Sequence, residues 1–453
     1  MDIILEKIKN INDIVGSFVW GPYMLMLLLF VGVFFSISSG FFQIRKFRLC
    51  LNIITSSIFK KKDNKSNSSE ITAFQAMTTA LAGAIGTGNI VGVATAISLG
   101  GPGAIVWMWI SAILGMMTIC SENILGVKYR QKNANGDTVG GPMYYIEHGL
   151  HQKWLASLFS IFCILATLGM GNMTQANSIA VALDSTFSFE PKYTGIVLAT
   201  ITAMIIFGGV KRIAKFTEKL VPFMAFFYIF GGLIVIAFNF DKIPYVFKDI
   251  FKEAFSFKSA AGGMIGFSAS RAMKYGISRG VFSNEAGLGS SPIVYAASSE
   301  QDPVIQGIWG IFQVFFDTII GCTVTALCIL CSGVCYKDLD GAELSSLAFE
   351  SVFGKFGLIF VAISITLFAF STLISWSFYG EKSLEYLTGS KYNIVFKAVY
   401  VIIILFASVI DLNLVWELSD TFNGLMAIPN LIALLLLSKE ILREIKKFDK
   451  KTK

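Results

Sequence analysis

The residues best suited to binding chemistry lie in the middle of a long apolar stretch, in the run Ala82-Gly83-Ala84-Ile85-Gly86-Thr87-Gly88-Asn89. Each glycine costs a helix about 1 kcal/mol relative to alanine, so we expect a helix to open here. The opening would expose backbone N–H groups at Gly86, Thr87 and Gly88 on the positive end of the next helical segment, where a carboxylate binds favourably. A nucleotide-binding loop is not indicated, because no strand precedes the run and no Lys-Ser or Lys-Thr pair follows it.

Further polar side chains stand inside apolar stretches, where they are costly and usually mark a pathway. Asn172 and Gln175 share a helix face at i, i+3 spacing, and Ser371 and Thr372 offer two neighbouring hydroxyls. Such hydroxyls can also bond back to their own helix, which would make the pair purely structural. Asp317 needs a cation, a proton or a basic partner. The basic residues considered as its partner are Arg271, Lys274 and Arg279.

Catalytic and cofactor chemistry has little support. The two histidines, His148 and His151, provide neither a nucleophile with its base nor a metal-ligand cluster. Most of the seven cysteines lie in apolar runs, where a thiol behaves as a small hydrophobe, so no disulfide framework is indicated. We expect no enzyme activity and no cofactor. An ion channel is disfavoured, because the polar groups form one cluster and not continuous polar faces on several helices.

Membrane helices must position these residues. Hydrophobic residues make up 54% of the 453-residue chain and charged residues only 15%, too few to cover a surface that faces water. We count about eleven apolar stretches that approach the 20 residues needed to cross a bilayer. They are residues 18–38, 73–99, 104–127, 155–183, 194–210, 220–240, 260–297, 305–331, 358–379, 394–410 and 414–437.

Basic residues are concentrated in alternate loops, so the net charge of +7 reflects membrane orientation and not nucleic-acid binding. The loops after the first, third and fifth spans and the C-terminal tail are rich in lysine and arginine, as at Lys60, Arg130 and Arg212. The alternate loops are poorer in cations or acidic, as at Asp338 and Asp340. This pattern predicts a cell-membrane protein with its N-terminus outside and its C-terminus in the cytoplasm.

Two of the spans are interrupted by glycines. The second contains the run at 82–89, and the seventh is twice as long as needed, with Ser283-Asn284-Glu285 similar to a helix N-cap. Each opens a block of five spans, and an odd number inverts the second block relative to the first. Glycine-interrupted spans at matching positions of inverted repeats are typical of secondary transporters with a site at mid-membrane. The expected parts are a first helix and basic loop (1–70), two repeats (71–240 and 258–438) and a basic tail (439–453).

Several segments resemble the alanine/glycine:cation symporter family. Residues 100–115, GGPGAIVWMWISAILG, match its signature except at Val106, where the family usually has Phe. Residues 140–145 (GGPMYY), 282–287 (FSNEAG) and 420–426 (DTFNGLM) resemble further family segments, so the match covers nearly the whole chain. The resemblance implies an all-α LeuT-type fold of five plus five helices with one extra N-terminal helix. It also implies sodium-coupled uptake of alanine and glycine. Apart from the resemblance, we expect membrane lipid as the surroundings and a monomer as the oligomeric state.

The resemblance also suggests where the ligands bind. The amino acid would lie against the opening of the second span, closed by Asn172 and Gln175, with a second opening in the seventh span around Phe267 to Ile277. The seventh-span residues expected in the substrate site are Phe267, Met273, Gly276 and Ile277. Sodium would bind the carbonyls of Ala82 and Ile85 with the hydroxyls of Ser371 and Thr372, because sodium favours oxygen ligands. Asn89 and Asp317 are further sodium candidates, and proton coupling through Asp317 is the alternative.

Overall fold

The computed structural model describes residues 2–59, 70–255, 264–334, 339, 341–410 and 413–452. Nearly all regular structure in these ranges is helical. The helices are α1 (Asp2–Val19), α2 (Pro22–Ser38), α3 (Phe42–Arg45), α4 (Phe47–Phe59), α5 (Ala73–Ala84), α6 (Val93–Gly100), α7 (Ala104–Lys128), α8 (Pro142–Leu150), α9 (Lys153–Leu168), α10 (Thr174–Phe187), α11 (Pro191–Ile206), α12 (Gly209–Phe238), α13 (Ile243–Ala254), α14 (Met264–Asn284), α15 (Ser291–Tyr295), α16 (Pro303–Val314), α17 (Thr323–Ser332), α18 (Gly341–Phe353), α19 (Lys355–Thr388), α20 (Asn393–Ala407), α21 (Asn413–Leu436) and α22 (Ser438–Lys451).

Short irregular elements join or interrupt these helices. π turns at Gly88–Gly92, Gly169–Met173 and Phe315–Cys322 lie between α5 and α6, α9 and α10, and α16 and α17. Such turns are frequent at functional sites, because they redirect side chains within a helix. 3-10 turns span Phe240–Lys242 and Ser390–Tyr392, and a small antiparallel hairpin pairs β1 (Gln131–Lys132) with β2 (Thr138–Val139).

Eight helical segments of the described ranges are long and apolar enough to cross a membrane. They are Lys9–Ser38, Ala104–Lys128, Lys153–Phe187, Gly209–Phe238, Pro303–Ser332, Lys355–Thr388, Ser390–Ala407 and Val415–Leu436. The pair Ala73–Ala84 and Gly88–Gly100, bent by 52°, makes a ninth if it is taken as one span. The prediction of a helical multi-pass membrane protein is therefore confirmed, whereas the count of eleven spans stays a prediction.

Some helix bounds differ from the apolar stretches. The first membrane segment begins at Lys9, well before residue 18. The sixth span was expected from residue 220, but α12 already begins at Gly209, about three turns earlier, because Ile213, Ala214 and Thr217 form a buried face. Hydropathy marks the apolar part of a helix, and an amphipathic extension lies outside that signal.

Packing of the long helices brings the interrupted segments to the centre of the molecule. α7 packs against α14 and α16, and α19 packs against α5, α9 and α10. The capping box of Thr72 and Gln75 begins α5, because each side chain bonds the backbone N–H of the other residue. Large apolar side chains such as Phe226 are exposed on the outer surface, as expected where lipid replaces water.

Candidate functional site

The first break in the helical pattern follows α5. Ile85 and Gly86 leave the helix, and the π turn begins at Gly88. The Gly86 N–H donates to Asn89 Oδ1 at 3.2 Å. Among the described residues, the N–H groups of Thr87 and Gly88 find no acceptor. The break lies where the glycine run predicts an opening, and it leaves two donors for a ligand.

The second break lies between α14 and α15. Glu285, Gly287 and Gly289 have φ angles of 60°, 95° and 81° there. Positive φ angles reverse the chain direction, and glycine adopts them without strain. The Glu285 side chain, which is fully buried, accepts hydrogen bonds from the Trp376 indole N–H (3.0 Å) and from the Ser290 hydroxyl.

The predicted opening around Phe267 to Ile277 is therefore wrong. These residues lie inside the continuous helix α14, so their carbonyls are used in its own hydrogen bonds. Gly276 is a packing position, since a Cβ there would lie 2.2 Å from the Ala104 carbonyl oxygen of α7. Met273 is half-buried and Ile277 is buried on the same helix, while the side chain of Phe267 lies outside the described part. The Ser283-Asn284-Glu285 run ends the first half-helix and does not cap the second.

The two breaks meet in the interior. A Cβ placed on Gly88 would lie 3.4 Å from Phe282 Cδ1 and from Ser283 Cα, at the end of α14. A Cβ placed on Gly86 would lie 2.4 Å from Thr372 Oγ1 and 3.6 Å from Gln175 Oε1. The first break therefore contacts the end of α14 at Gly88, and at Gly86 it approaches α19 so closely that an added methyl group would force Thr372 or the backbone to shift.

Two hydroxyls of α19 face the end of α5. Ser371 Oγ lies 3.2 Å from the Ala82 carbonyl oxygen and 3.4 Å from that of Ile85. Thr372 Oγ1 lies 3.0 Å from the same Ala82 oxygen. Both hydroxyls also lie within hydrogen-bond distance of the Phe368 carbonyl of their own helix, at 2.8 and 3.2 Å. The structure thus brings together the four oxygens named from the sequence, and the alternative backbone bond is present as well.

Asp317 is fully buried in the π turn between α16 and α17. Its carboxylate accepts hydrogen bonds from Asn89 Nδ2 (2.8 Å), the Ser283 hydroxyl (2.9 Å) and the Thr318 hydroxyl (2.8 Å). Arg279, one of the basic partners considered, pairs instead with Asp420 at 3.2 Å. All three donors are neutral. Asn89 lies at the first break and Ser283 at the end of α14, before the second break, so this carboxylate connects the two breaks.

The amides of the fourth span point in different directions. Gln175 donates to the Met170 carbonyl at 3.0 Å, and its Oε1 has no partner within the described ranges. Asn172 donates to the Tyr400 carbonyl of α20 at 2.8 Å. The π turn at Gly169–Met173 shifts the register of the helix, so i, i+3 spacing no longer implies a shared face. Gln175 is the one that approaches Gly86.

Sequence reasoning did not single out Glu122 or the network behind the second break. Glu122, fully buried in α7, accepts a hydrogen bond from Asn430 Nδ2 at 2.5 Å. The same amide donates to the Gly287 carbonyl at 2.9 Å, and Tyr145 donates to Asn430 Oδ1. The signal was available, because an acidic residue inside an apolar span needs a reason to be there.

Comparison with known proteins supplies the identity of this architecture. The family model described as the sodium:alanine symporter family matches residues 5–453. The sodium/alanine symporter AgcS of Methanococcus maripaludis is 45% identical over 98% of both chains. The probable sodium/glutamine symporter GlnT of Bacillus subtilis is 39% identical, over 100% of this chain and 92% of its own. The crystal structure of MhsT in complex with L-phenylalanine superposes with a TM-score of 0.60 at 14% identity, over 84% of this chain and 93% of its own, which shows a shared fold.

Proposed function

The chain belongs to the sodium:alanine symporter family, and from that premise we propose that it takes up alanine and glycine together with sodium ions. It is a multi-pass transporter and not an enzyme. Sodium entering with the membrane potential releases about 2.3 kcal/mol per charge for every 100 mV, which drives accumulation of the amino acid.

The observation that carries this proposal is the set of polar groups without partners at the first break, where it meets the second. The N–H groups of Thr87 and Gly88, which have no acceptor in the described ranges, lie at the positive N-terminal end of the next helical segment and suit a carboxylate. Gln175 Oε1, buried and without a partner in the described ranges, is an acceptor suited to an ammonium group near Gly86. An α-amino acid carries both groups on one carbon atom, so it matches the N–H groups and Gln175 Oε1 at once.

The close approach of the surrounding helices favours a small side chain. At Gly171, a Cβ would lie 2.4 Å from the Cβ of Trp376, so the indole is held tightly beside the site. Phe282 lies close to Gly88 at the first break. A methyl group or a hydrogen fits such surroundings better than a branched or aromatic side chain, and Met273 remains a candidate to close the pocket further.

One sodium ion would bind between α5 and α19. The hydroxyls of Ser371 and Thr372 can keep donating to Phe368 while they turn lone pairs towards the ion, and the carbonyls of Ala82 and Ile85 supply two further oxygens. The backbone bonds of these hydroxyls therefore orient the site and do not compete with it.

Asn89 and Asp317 form the second sodium candidate. The carboxylate lies among neutral donors only, so a cation there would compensate a buried charge that otherwise costs several kcal/mol. The same feature favours proton coupling as the second candidate function, because a proton on Asp317 would also remove that charge.

The chain arrangement we propose is eleven spans with two inverted repeats and a cytoplasmic C-terminus. Basic loops that the orientation rule places on one side do lie together. Arg45, after the first span, pairs with Asp449 of the tail helix at 2.7 Å. Lys128, after the third span, pairs with Glu440 of the same helix at 2.7 Å. These contacts support a common side for both loops and the tail.

Uptake of radiolabelled alanine into proteoliposomes, with either a sodium or a proton gradient imposed, tests the proposal. We expect accumulation with sodium alone, strong competition by glycine and weak competition by leucine or phenylalanine. Accumulation driven by protons alone would favour the second candidate function. Competition by leucine as strong as that by alanine would contradict the small-substrate assignment.

A further inference from the structure

The cytoplasmic ends of the two broken spans are joined directly. Ile71, just before α5, forms an isolated parallel bridge with Ser298, just after α15. The Ile71 N–H donates to the Ala297 carbonyl at 3.3 Å, and the Ser299 N–H donates to the Ile71 carbonyl at 2.8 Å. The start of the second span is thereby bound to the end of the seventh span.

The hairpin between α7 and α8 forms hydrogen bonds with both of these ends. Arg130, at its base, donates to the carbonyls of Ser298 (2.9 Å) and Glu300 (3.0 Å) and to the Gln301 side chain. On the other side of the bridge, Glu70 accepts hydrogen bonds from Lys132 of β1 (3.0 Å) and Thr138 of β2 (2.7 Å). One hairpin therefore holds the start of α5 through Glu70 and the chain after α15 through Arg130.

The residues that follow the hairpin make further contacts with the same region. A Cβ on Gly140 would lie 2.5 Å from the Ala296 Cβ, and a Cβ on Gly141 would lie 2.7 Å from Ile293 Cγ1. Gly141 also has a φ of 122°, which disfavours other residues. The Gly-Gly-Pro run that follows β2 thus presses the chain against α15, the short second half of the interrupted span.

A cavity of about 200 Å³ lies beside this assembly. Its walls include Thr138 of the hairpin, Ala297 of the bridge, and Phe378 and Glu381 of α19. Phe378 is two residues beyond Trp376, whose indole binds Glu285 at the second break. The cavity therefore lies on the cytoplasmic side of the proposed substrate site, with the hairpin and bridge at its edge.

We propose that the hairpin is a clasp over the cytoplasmic exit, and that Arg130 and Glu70 are positioning residues that set how fast this side opens. The inference rests on the proposed alternating-access function. For the substrate to leave towards the cytoplasm, the ends of α5 and α15 must separate, and both the bridge and the hairpin contacts oppose that separation.

The charge distribution supports the contact at Glu70. Partial burial acts to raise the pKa of Glu70, but hydrogen bonds from Thr138 and Lys132 and the charges of Lys132 and Arg130 hold that pKa below its usual range. A carboxyl with a lowered pKa stabilises the closed arrangement above its unfolded-state pKa, and this contribution is lost as the pH falls through the lowered value. At neutral pH the contribution of Glu70 to the closed arrangement is therefore fully present.

Opening is measured by the rate at which a thiol reagent labels a cysteine introduced at Ala297→Cys, which is 5% exposed and lines the cavity. The measurement uses purified full-length protein without sodium or amino acid, and the chain without this change gives the background. We expect Arg130→Gln and Glu70→Gln each to raise the labelling rate roughly tenfold, because each removes charge-assisted hydrogen bonds to a moving segment. Gln131→Ala, at an exposed position between Arg130 and Lys132, is the matched control and should leave the labelling rate unchanged.

Exchanging the charges of Glu70 and Lys132 distinguishes a positioning role from a general effect on stability. Glu70→Lys and Lys132→Glu should each speed labelling, and the double variant should return it towards the parent rate. Equal labelling rates in Arg130→Gln, Glu70→Gln and the parent, with all three monodisperse, would overturn the clasp. So would a double variant that labels faster than both single variants. Because no substrate is present, either result is independent of whether alanine is the amino acid transported.

Discussion

The two breaks in the interrupted spans are built differently. The first, after Ala84, depends on glycines that allow close approach, and it leaves N–H groups without acceptors in the described ranges. The second, between α14 and α15, is held by side chains: Glu285 binds Trp376 and Ser290, and Asn430 binds both Glu122 and the Gly287 carbonyl.

This difference indicates that the two breaks have different roles. A break with free polar groups can bind a ligand, whereas a break whose polar groups are already paired has little to offer one and serves as a fixed support. We therefore expect substitutions at the first break to change transport and its sodium dependence, and substitutions behind the second break to change stability.

The largest effect is expected for Gly86→Ala. The added methyl group would lie 2.4 Å from Thr372 Oγ1, so α5 and α19 would have to separate. Overpacking of this kind typically costs about 1–3 kcal/mol. Because this cost falls on the arrangement of α5 and α19 that binds the ligands, its upper end corresponds to about a hundredfold loss of alanine uptake. Gly92→Ala, at the end of the π turn that follows Gly86, is the control, since a Cβ there has nothing within 4 Å. If both variants transport equally, the first break is not the site.

The next largest effect is expected for Asn430→Ala, which removes the Nδ2 donor of Glu122 Oε1 and of the Gly287 carbonyl. The expected result is a loss of about 2 kcal/mol in stability, because buried polar groups without partners are costly. Thermal unfolding in detergent measures the loss, while the sodium concentration for half-maximal uptake should stay the same. Asn177→Ala, a partly exposed amide that also donates to backbone carbonyls, should lose less. A changed sodium dependence with unchanged stability would contradict the supporting role proposed for the second break.

Asp317→Asn tests the carboxylate that contacts both breaks. The change keeps the volume and removes the charge, so sodium activation should require roughly tenfold more sodium, while folding is affected less. Thr318→Val removes one hydrogen-bond donor to the same carboxylate and keeps its charge. Equal sodium activation curves for both variants and the parent would make Asp317 a structural residue.

The smallest effect is expected for the double variant Ser371→Ala and Thr372→Val. It removes two sodium ligands at similar volume, so the half-maximal sodium concentration should rise roughly fivefold with normal expression. Ser364→Ala is the control, because that buried hydroxyl of α19 binds the Phe360 carbonyl of its own helix (2.8 Å). A sodium activation curve identical to that of the parent would refute the site between α5 and α19.

The positions of the two breaks show how far glycine content can be interpreted. In the second span, the glycines cluster at the break. In the seventh span, Gly276 and Gly280 precede the break by several residues and allow α14 to approach α7, since Cβ atoms there would lie 2.2 Å from the Ala104 oxygen and 2.6 Å from Ser111 Oγ. Glycine serves both close packing and chain reversal, and the sequence does not distinguish these uses.

Apolar stretches, the glycine run at residues 82–89 and the family segments were enough to identify a helical membrane transporter and to name Ser371, Thr372, Ala82 and Ile85 as neighbours. Hydropathy and helix-breaking residues act locally, so their effects can be predicted from the order of residues. Tertiary structure alone decided that Asp317 lies among neutral donors, that Arg279 pairs with Asp420, and that the second break follows Asn284. These contacts join residues distant in the chain, and helix packing selects among partners that the sequence leaves equally possible.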